Sequence, residues 1–193
     1  INALAKIMGI EYRAVSEEYE KKGTILSFTG APNRELTFCP GCPHRASYWS
    51  IHTALPLNGK GGFVCGDIGC YTLGILGAGF GAIKTAHAMG SGTGIASGFG
   101  KLAPFGMEQK AVSVCGDSTF FHSVMPALVN AVHVKSDMML VVFDNRGTAM
   151  TGFQPHPGTD HDAMRNVVNA IDIESICRAI GADVHVADPF DLA

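Results

Sequence analysis

Residues 111–147 read AVSVCGDSTFFHSVMPALVNAVHVKSDMMLVVFDNRG, and the fold class turns on how that stretch is parsed. Ala111 to Cys115 is a short apolar run ending at Gly116-Asp117-Ser118, as a buried strand does before a sharp turn. Ser118 to His133 then carries Phe121, Val124, Leu128, Val129 and Val132 at helical spacing, with Pro126 predicting a kink or a late helix start. Met138 to Phe143 is continuously apolar, which fits a central parallel strand buried on both faces, and Asp144-Asn145-Arg146-Gly147 is its terminal loop. Strand, helix and strand of these lengths make a βαβ unit, so both strands end on the same edge of one sheet. Asp117 and Asn145 therefore project from neighbouring strand tips. One carboxylate, one amide oxygen and the Gly147 carbonyl suit the near-octahedral oxygen shell of Mg²⁺, with room for two diphosphate oxygens and a water. Gly116 permits the turn, and the amides opening the helix favour the same anion. The plainer alternative makes Asp117 a helix cap and Asn145 a turn residue.

Outward from this unit the pattern repeats. Gly62 to Cys65 is a short apolar strand followed by the Gly66-Asp67-Ile68-Gly69-Cys70 turn. Tyr71 to Lys84 is so rich in glycine and small apolar residues that helix and loop are both open. Gly90 to Gly100 reads as a Gly-rich loop leading into a helix packed tightly on a sheet. Arg45 to Leu55 is helical, closed by Pro56 and Asn58-Gly59. Ile171 to Ile180 is a last helix and Val184 to Val186 a last strand. The whole predicts an α/β domain whose parallel sheet is flanked by helices on both faces, with ligands bound beyond the carboxyl ends of the strands.

The 193 residues carry 47 % hydrophobic and 16 % charged side chains and 24 glycines, which suits a globular domain with close backbone approaches. A formal net charge of −3 offers no footprint for nucleic acid, and no apolar run nears the roughly 18 residues that span a bilayer. With no signal-peptide pattern, a cytoplasmic location is expected. Residues 1–22 read as the tail of a preceding domain and 23–38 as a linker ending in a turn, so 1–35 is expected to be connection and 36–193 a domain. The closing ADPFDLA reads as a helix just beginning, and the chain as part of a larger polypeptide.

Six cysteines occupy positions 39, 42, 65, 70, 115 and 177. Cys39-Pro40-Gly41-Cys42 lets two thiolates reach one metal centre from a single turn, and Cys70 is a natural third. A zinc site including His44, a redox dithiol and an empty turn are the competing readings. Cys65, Cys115 and Cys177 fall in elements and read as core. Asp67 caps a helix or bonds a ligand, with capping favoured. Met89-Gly90-Ser91 is either a ligand loop or a tight helix contact. His122 follows two phenylalanines and reaches the site or packs elsewhere. Gln154-Pro155-His156-Pro157-Gly158 looks like a rigid lid, with His156 as a substrate contact.

Gly116-Asp117-Ser118 with Asn145 resembles the thiamine-diphosphate signature, Gly-Asp-Gly followed by a later Asn, with Ser118 in place of the last glycine. The longer stretch GDSTFFHSVMPALVNAV…VVFDNRGTAMTGFQPHPG is similar to the large subunits of indolepyruvate:ferredoxin oxidoreductases, members of the 2-oxoacid:ferredoxin oxidoreductases. Arg146-Gly147 departs from that family. The resemblance implies a thiamine-diphosphate-binding fold. It implies Mg²⁺ on Asp117, Asn145 and Gly147, and cofactor contacts from Asp67, Ile68, Gly69, Met89, Gly90 and Ser91 and from Gly116, Asp117, Ser118, Asn145, Gly147 and Thr148. It also implies a [4Fe-4S] cluster on Cys39, Cys42 and Cys70, with His44 and His122 as candidate catalytic groups. The expected reaction is oxidative decarboxylation of an arylpyruvate, electrons leaving through the cluster to ferredoxin and the acyl group passing to coenzyme A. A small (beta) subunit and a second copy are the expected partners. The glutamate that activates the cofactor belongs to a separate pyrimidine-binding domain. A non-redox thiamine decarboxylase or synthase has no use for Cys39 and Cys42, and a zinc-stapled binding module needs no cofactor.

Overall fold

The computed structural model describes residues 1–12, 15–30 and 34–191, the side chains of residues 2 and 28 excepted. The chain divides into two compact units, Ile1–Glu35 and Leu36–Ala193. In the first, helix α1 (Asn2–Met8) ends at Gly9, whose φ of 63° is left-handed. Helix α2 (Glu17–Thr29) starts where the Ser16 hydroxyl accepts the Tyr19 N–H at 3.3 Å, and Glu17, Glu18 and Glu20 complement its N-terminal dipole. The linker expected from residue 23 is thus helical as far as Thr29, because capping and acidic residues at its start outweigh the single Gly23.

The second unit holds a four-stranded sheet in the order β2-β1-β3-β4, all parallel. Strands β1 (Gly62–Gly66), β3 (Lys110–Gly116) and β4 (Met138–Phe143) fall where the apolar runs predict them. Strand β2 (Ile83–Ala86) emerges from the glycine-rich stretch whose sequence left helix and loop open; the remainder of that stretch is two short 3₁₀ turns. Alternate side chains of β1 and β3 join different clusters. Val64, Val112 and Val114 enter the large core with Tyr48 of helix α3 (Pro43–Ala54). Cys65 and Ala111 pack with Ala96 of helix α4 (Ser91–Phe99). Because strand side chains alternate between faces, helices cover both sides of the sheet.

Strand β4 corrects the expectation of a central strand. Among the described residues it pairs only with β3, and Met139 is 61 % exposed. An apolar run reports burial potential, whereas edge or centre is a matter of strand order.

The helix expected over 118–133 is split. A short turn α5 (Asp117–Thr119) passes into a π-helical turn at Phe120–Val124, and helix α6 (Met125–His133) begins afterwards. Pro126 lies in the first turn of α6, where its missing N–H has no partner to lose. The late start is the outcome. Helix α7 (Ile173–Ile180) begins at Asp172, whose carboxylate accepts the Ser175 N–H at 2.7 Å, and it buries Cys177. The strand expected at Val184 to Val186 is absent. Its backbone has no ladder partner among the described residues, and the Val184 carbonyl accepts from Arg178 Nη2 at 3.1 Å. The closing residues show a turn at 189–190 and no helix up to residue 191; 192 and 193 lie outside the described residues. Among the described residues no helix is long and apolar enough to cross a membrane.

Candidate functional site

The register Gly116↔Phe143 sets the tips of β3 and β4 side by side, so Asp117 and the Asp144-Asn145 pair leave the sheet together. Asp117 is 2 % exposed. Its Oδ1 accepts the Ser118 N–H at 2.8 Å. Its Oδ2 accepts the Gly147 N–H at 3.2 Å, and that same N–H reaches Asn145 Oδ1 at 3.2 Å. The two side chains expected to hold Mg²⁺ therefore converge on one backbone amide. Burial pushes the Asp117 carboxyl up, the Ser118 amide and His156 oppose this, and the neighbouring Asp144 raises it further. Two carboxylates crowded at a desolvated strand tip, with an amide oxygen beside them, form a donor set that fits a hard divalent cation. The cap-and-turn alternative survives in part, since Asn145 does accept from Gly147, yet α5 has no side-chain cap. Thr148 joins the same cluster by donating from Oγ1 to Ser118 Oγ at 2.8 Å.

A second group of polar atoms gathers at the end of β1. Asp67 has no exposed surface, and its Oδ1 accepts from the Tyr71 hydroxyl. The backbone amides of Gly90, Gly92 and Ile68 also face its carboxylate. Asp67 therefore faces the start of α4, where no side chain caps the helix with a well-formed hydrogen bond. Tyr71 Oη also lies 3.0 Å from both Thr119 Oγ1 and the Ile68 carbonyl, tying the β1 loop to α5. Gly90, at φ 81°, is left-handed, and a Cβ there would sit 2.1 Å from Ser123 Oγ on the π turn. Asp67 Oδ2, Ser91 Oγ and Ser123 Oγ are buried without a well-formed hydrogen bond. Such orphaned oxygens beside a glycine cradle fit a polar ligand that brings its own donors. Ile68 and Met89, expected beside the cofactor, are each 42 % exposed.

Cys39 is exposed, while Cys42 and Cys70 are half-buried. Burial raises the Cys70 thiol, and Cys42 and then Cys39 add to that shift, so the three sulfurs lie within electrostatic reach. The turn borders an open groove of about 700 Å³ lined by Phe38, Arg45, Trp49, Phe80 and Phe190. Among the described residues no three His, Cys, Asp or Glu side chains stand close enough to hold a single metal ion, which weighs against a zinc staple using His44. His44 is buried, with Nδ1 3.4 Å from Cys42 Sγ and its ring edge-on to Phe143; burial lowers its pKa. His122 is exposed on the π turn and joins none of these contacts. Cys65, Cys115 and Cys177 are core.

His156 is the residue whose place the sequence misjudges. Expected on a lid over substrate, it lies against the proposed metal ligand, with Nε2 3.0 Å from Asp117 Oδ2. The proline-bracketed Pro155-His156-Pro157 was the only available signal, and it marks rigidity without a target.

Residues 67–193 match the family described as thiamine pyrophosphate enzyme, C-terminal TPP binding domain. The chain belongs to that family. Within it, the chain is 46 % identical over 165 residues to the indolepyruvate oxidoreductase subunit IorA of Methanothermobacter marburgensis, an alignment covering 83 % of this chain and 26 % of that protein. It is 40 % identical to IorA of Thermococcus kodakarensis over all of this chain and 30 % of that protein, and 36 % identical to that of Archaeoglobus fulgidus over 98 % and 29 %. The chain thus spans under a third of the length of these curated relatives.

Proposed function

We propose that this domain clamps the diphosphate of thiamine diphosphate through Mg²⁺ held by Asp117, Asn145 and the Gly147 carbonyl. We further propose that it relays electrons through a [4Fe-4S] cluster on Cys39, Cys42 and Cys70. The observation that supports this is the convergence of the Asp117 and Asn145 side chains on the Gly147 amide at adjoining strand tips. The cofactor, once bound, supplies the electron sink that lets a 2-oxoacid lose CO₂. The chain's own residues do the rest. Asp117 and Asn145 orient the diphosphate, and the amides of α5 add a favourable dipole. Asp67 braces the loop of Gly90 and Ser91 that faces the cofactor. Cys70, three residues along from Asp67 in the same loop, sets the cluster beside the reacting end. Electron relay at that position distinguishes an oxidoreductase from a plain decarboxylase. The reaction is then oxidative decarboxylation of an arylpyruvate in the cytoplasm, with ferredoxin as electron acceptor and coenzyme A taking the acyl group. A small subunit and a second copy complete the assembly. His44, packed between the cysteine turn and Phe143, lines the path between cluster and cofactor, and His122, exposed on the π turn, is left without a catalytic role.

Metal analysis of the full-length protein, purified without air, tests this. Iron with broad visible absorption, lost in Cys39→Ser or Cys70→Ser, is the expected result. Zinc alone would favour a stapled binding module, and thiamine diphosphate binding with neither metal a non-redox lyase. Asp117→Ala is expected to weaken Mg²⁺–thiamine diphosphate binding by on the order of 100-fold or more, since a direct ligand should matter at least as much as its supporting partners.

A further inference from the structure

We propose that His156 is a positioning residue for the cation site, donating from Nε2–H to Asp117 Oδ2 and leaving Oδ1 to meet the cation. The tautomer follows from the other ring nitrogen. The Gly158 N–H donates to His156 Nδ1 at 3.1 Å, so Nδ1 presents a lone pair and the ring proton sits on Nε2, 3.0 Å from Asp117 Oδ2. Both side chains are sealed from solvent, at 5 % and 3 % exposure.

The ring is held on every side. Thr159 Oγ1 accepts the His156 N–H at 3.2 Å, and the Thr159 N–H donates back to the His156 carbonyl at 2.9 Å. Phe121 lies across the ring, with centroids 5.6 Å apart. A Cβ on Gly158 would come within 2.8 Å of Phe121 and 3.0 Å of His156, so only glycine lets the three close together. The preceding hairpin is also fastened, by the Thr148–Gln154 bridge. The loop therefore begins and ends on one atom: Gly147 N–H and His156 Nε2–H both donate to Asp117 Oδ2, occupying its two lone pairs. Oδ1 accepts one hydrogen bond, from Ser118, and keeps a lone pair open. A carboxylate fixed in this way binds a cation through one oxygen and pays no reorientation on binding.

This inference rests on the cation site proposed above, and its test separates the two. Mn²⁺ replaces Mg²⁺ in the full-length protein with its partner subunits, and its affinity is measured in the presence of thiamine diphosphate by electron paramagnetic resonance. His156→Phe keeps the ring packing and removes the donor; it is expected to weaken Mn²⁺ binding about 10- to 100-fold. His156→Gln offers an N–H at similar reach and is expected to recover most of that loss. The bound Mn²⁺ should show no nuclear coupling to a directly ligated histidine nitrogen. Unchanged affinity in His156→Phe overturns the positioning role, as does a coordinated nitrogen signal that disappears in that variant. If the unsubstituted protein takes up no Mn²⁺ with the cofactor, the cation site itself is wrong and both readings fall.

Discussion

Asp67 carries a carboxylate into a place with no water, and Tyr71 makes that tolerable. Desolvation raises the Asp67 pKa above its ordinary 3.8, while the Tyr71 hydroxyl and the Gly90, Gly92 and Ile68 amides pull it back in part. The folded protein therefore keeps a proton on Asp67 at pH values where the unfolded chain has released it. Stability from this residue is largest in acid and falls as pH rises through the raised pKa. Denaturant titrations from about pH 4 to 7, an interval set by that upward shift, should show the unsubstituted protein losing stability relative to Asp67→Asn as pH increases. A constant difference would mean the shift is absent. Tyr71→Phe deletes a hydroxyl that meets Asp67, Thr119 and the Ile68 carbonyl, leaving buried oxygens short of a donor. It is expected to cost about 1–3 kcal/mol in the same titration. At this scale the sequence was informative about Asp117 and Asn145, because two strands and one connection fix their separation. It was silent on His156, which lies 39 residues beyond Asp117 and reaches it only because a braced hairpin turns back.

Gly90, just before helix α4, comes up against Ser123 of the π turn. The glycine is left-handed and its Cα lies against Ser123, while Gly92 brings the helix so near β1 that a Cβ would stand 3.0 Å from the Cys65 carbonyl. Gly90→Ala is expected to cost about 2–4 kcal/mol from backbone strain and overpacking together, with Ser123→Ala relieving only the contact with Oγ, because the Ser123 Cβ would still stand 2.7 Å from the added methyl. Thermal unfolding of the single and double variants checks this, since the left-handed strain remains in both. A Gly-rich start to a helix was legible from GSGTGIASGFG, because small residues permit helix and sheet to approach closely. The π turn was not. Nothing in FFHSV separates an i→i+5 bond from an ordinary one; the choice depends on what the flanking turns pack against. Pro126 gave the warning that the helix would start late, and the reason is its missing N–H.

The chain spans 26–30 % of the length of the curated relatives it matches. The glutamate expected to activate the cofactor belongs, by the family resemblance, to a separate domain. Residues 1–193 by themselves are therefore expected to bind Mg²⁺–thiamine diphosphate and to show no indolepyruvate-dependent reduction of viologen. Turnover by that piece would place the activating carboxylate within it. Binding alone should raise the unfolding temperature, corresponding to about 2.7 kcal/mol at a cofactor concentration a hundred times the dissociation constant, and Asp117→Ala should abolish the rise.

By itself the sequence determined three strands of the parallel sheet, β1, β3 and β4, and that Asp117 and Asn145 leave neighbouring strand tips. Those properties are local, set by apolar runs, turn residues and the length of a crossover. Tertiary structure decided the order β2-β1-β3-β4, which exposes the apolar β4 at an edge, and the approach of the Gly90 loop to Asp67. It also decided the return of His156 to Asp117. Each of these joins groups far apart in the chain, and such pairings are selected by the summed packing of the whole domain, which no single stretch of residues encodes.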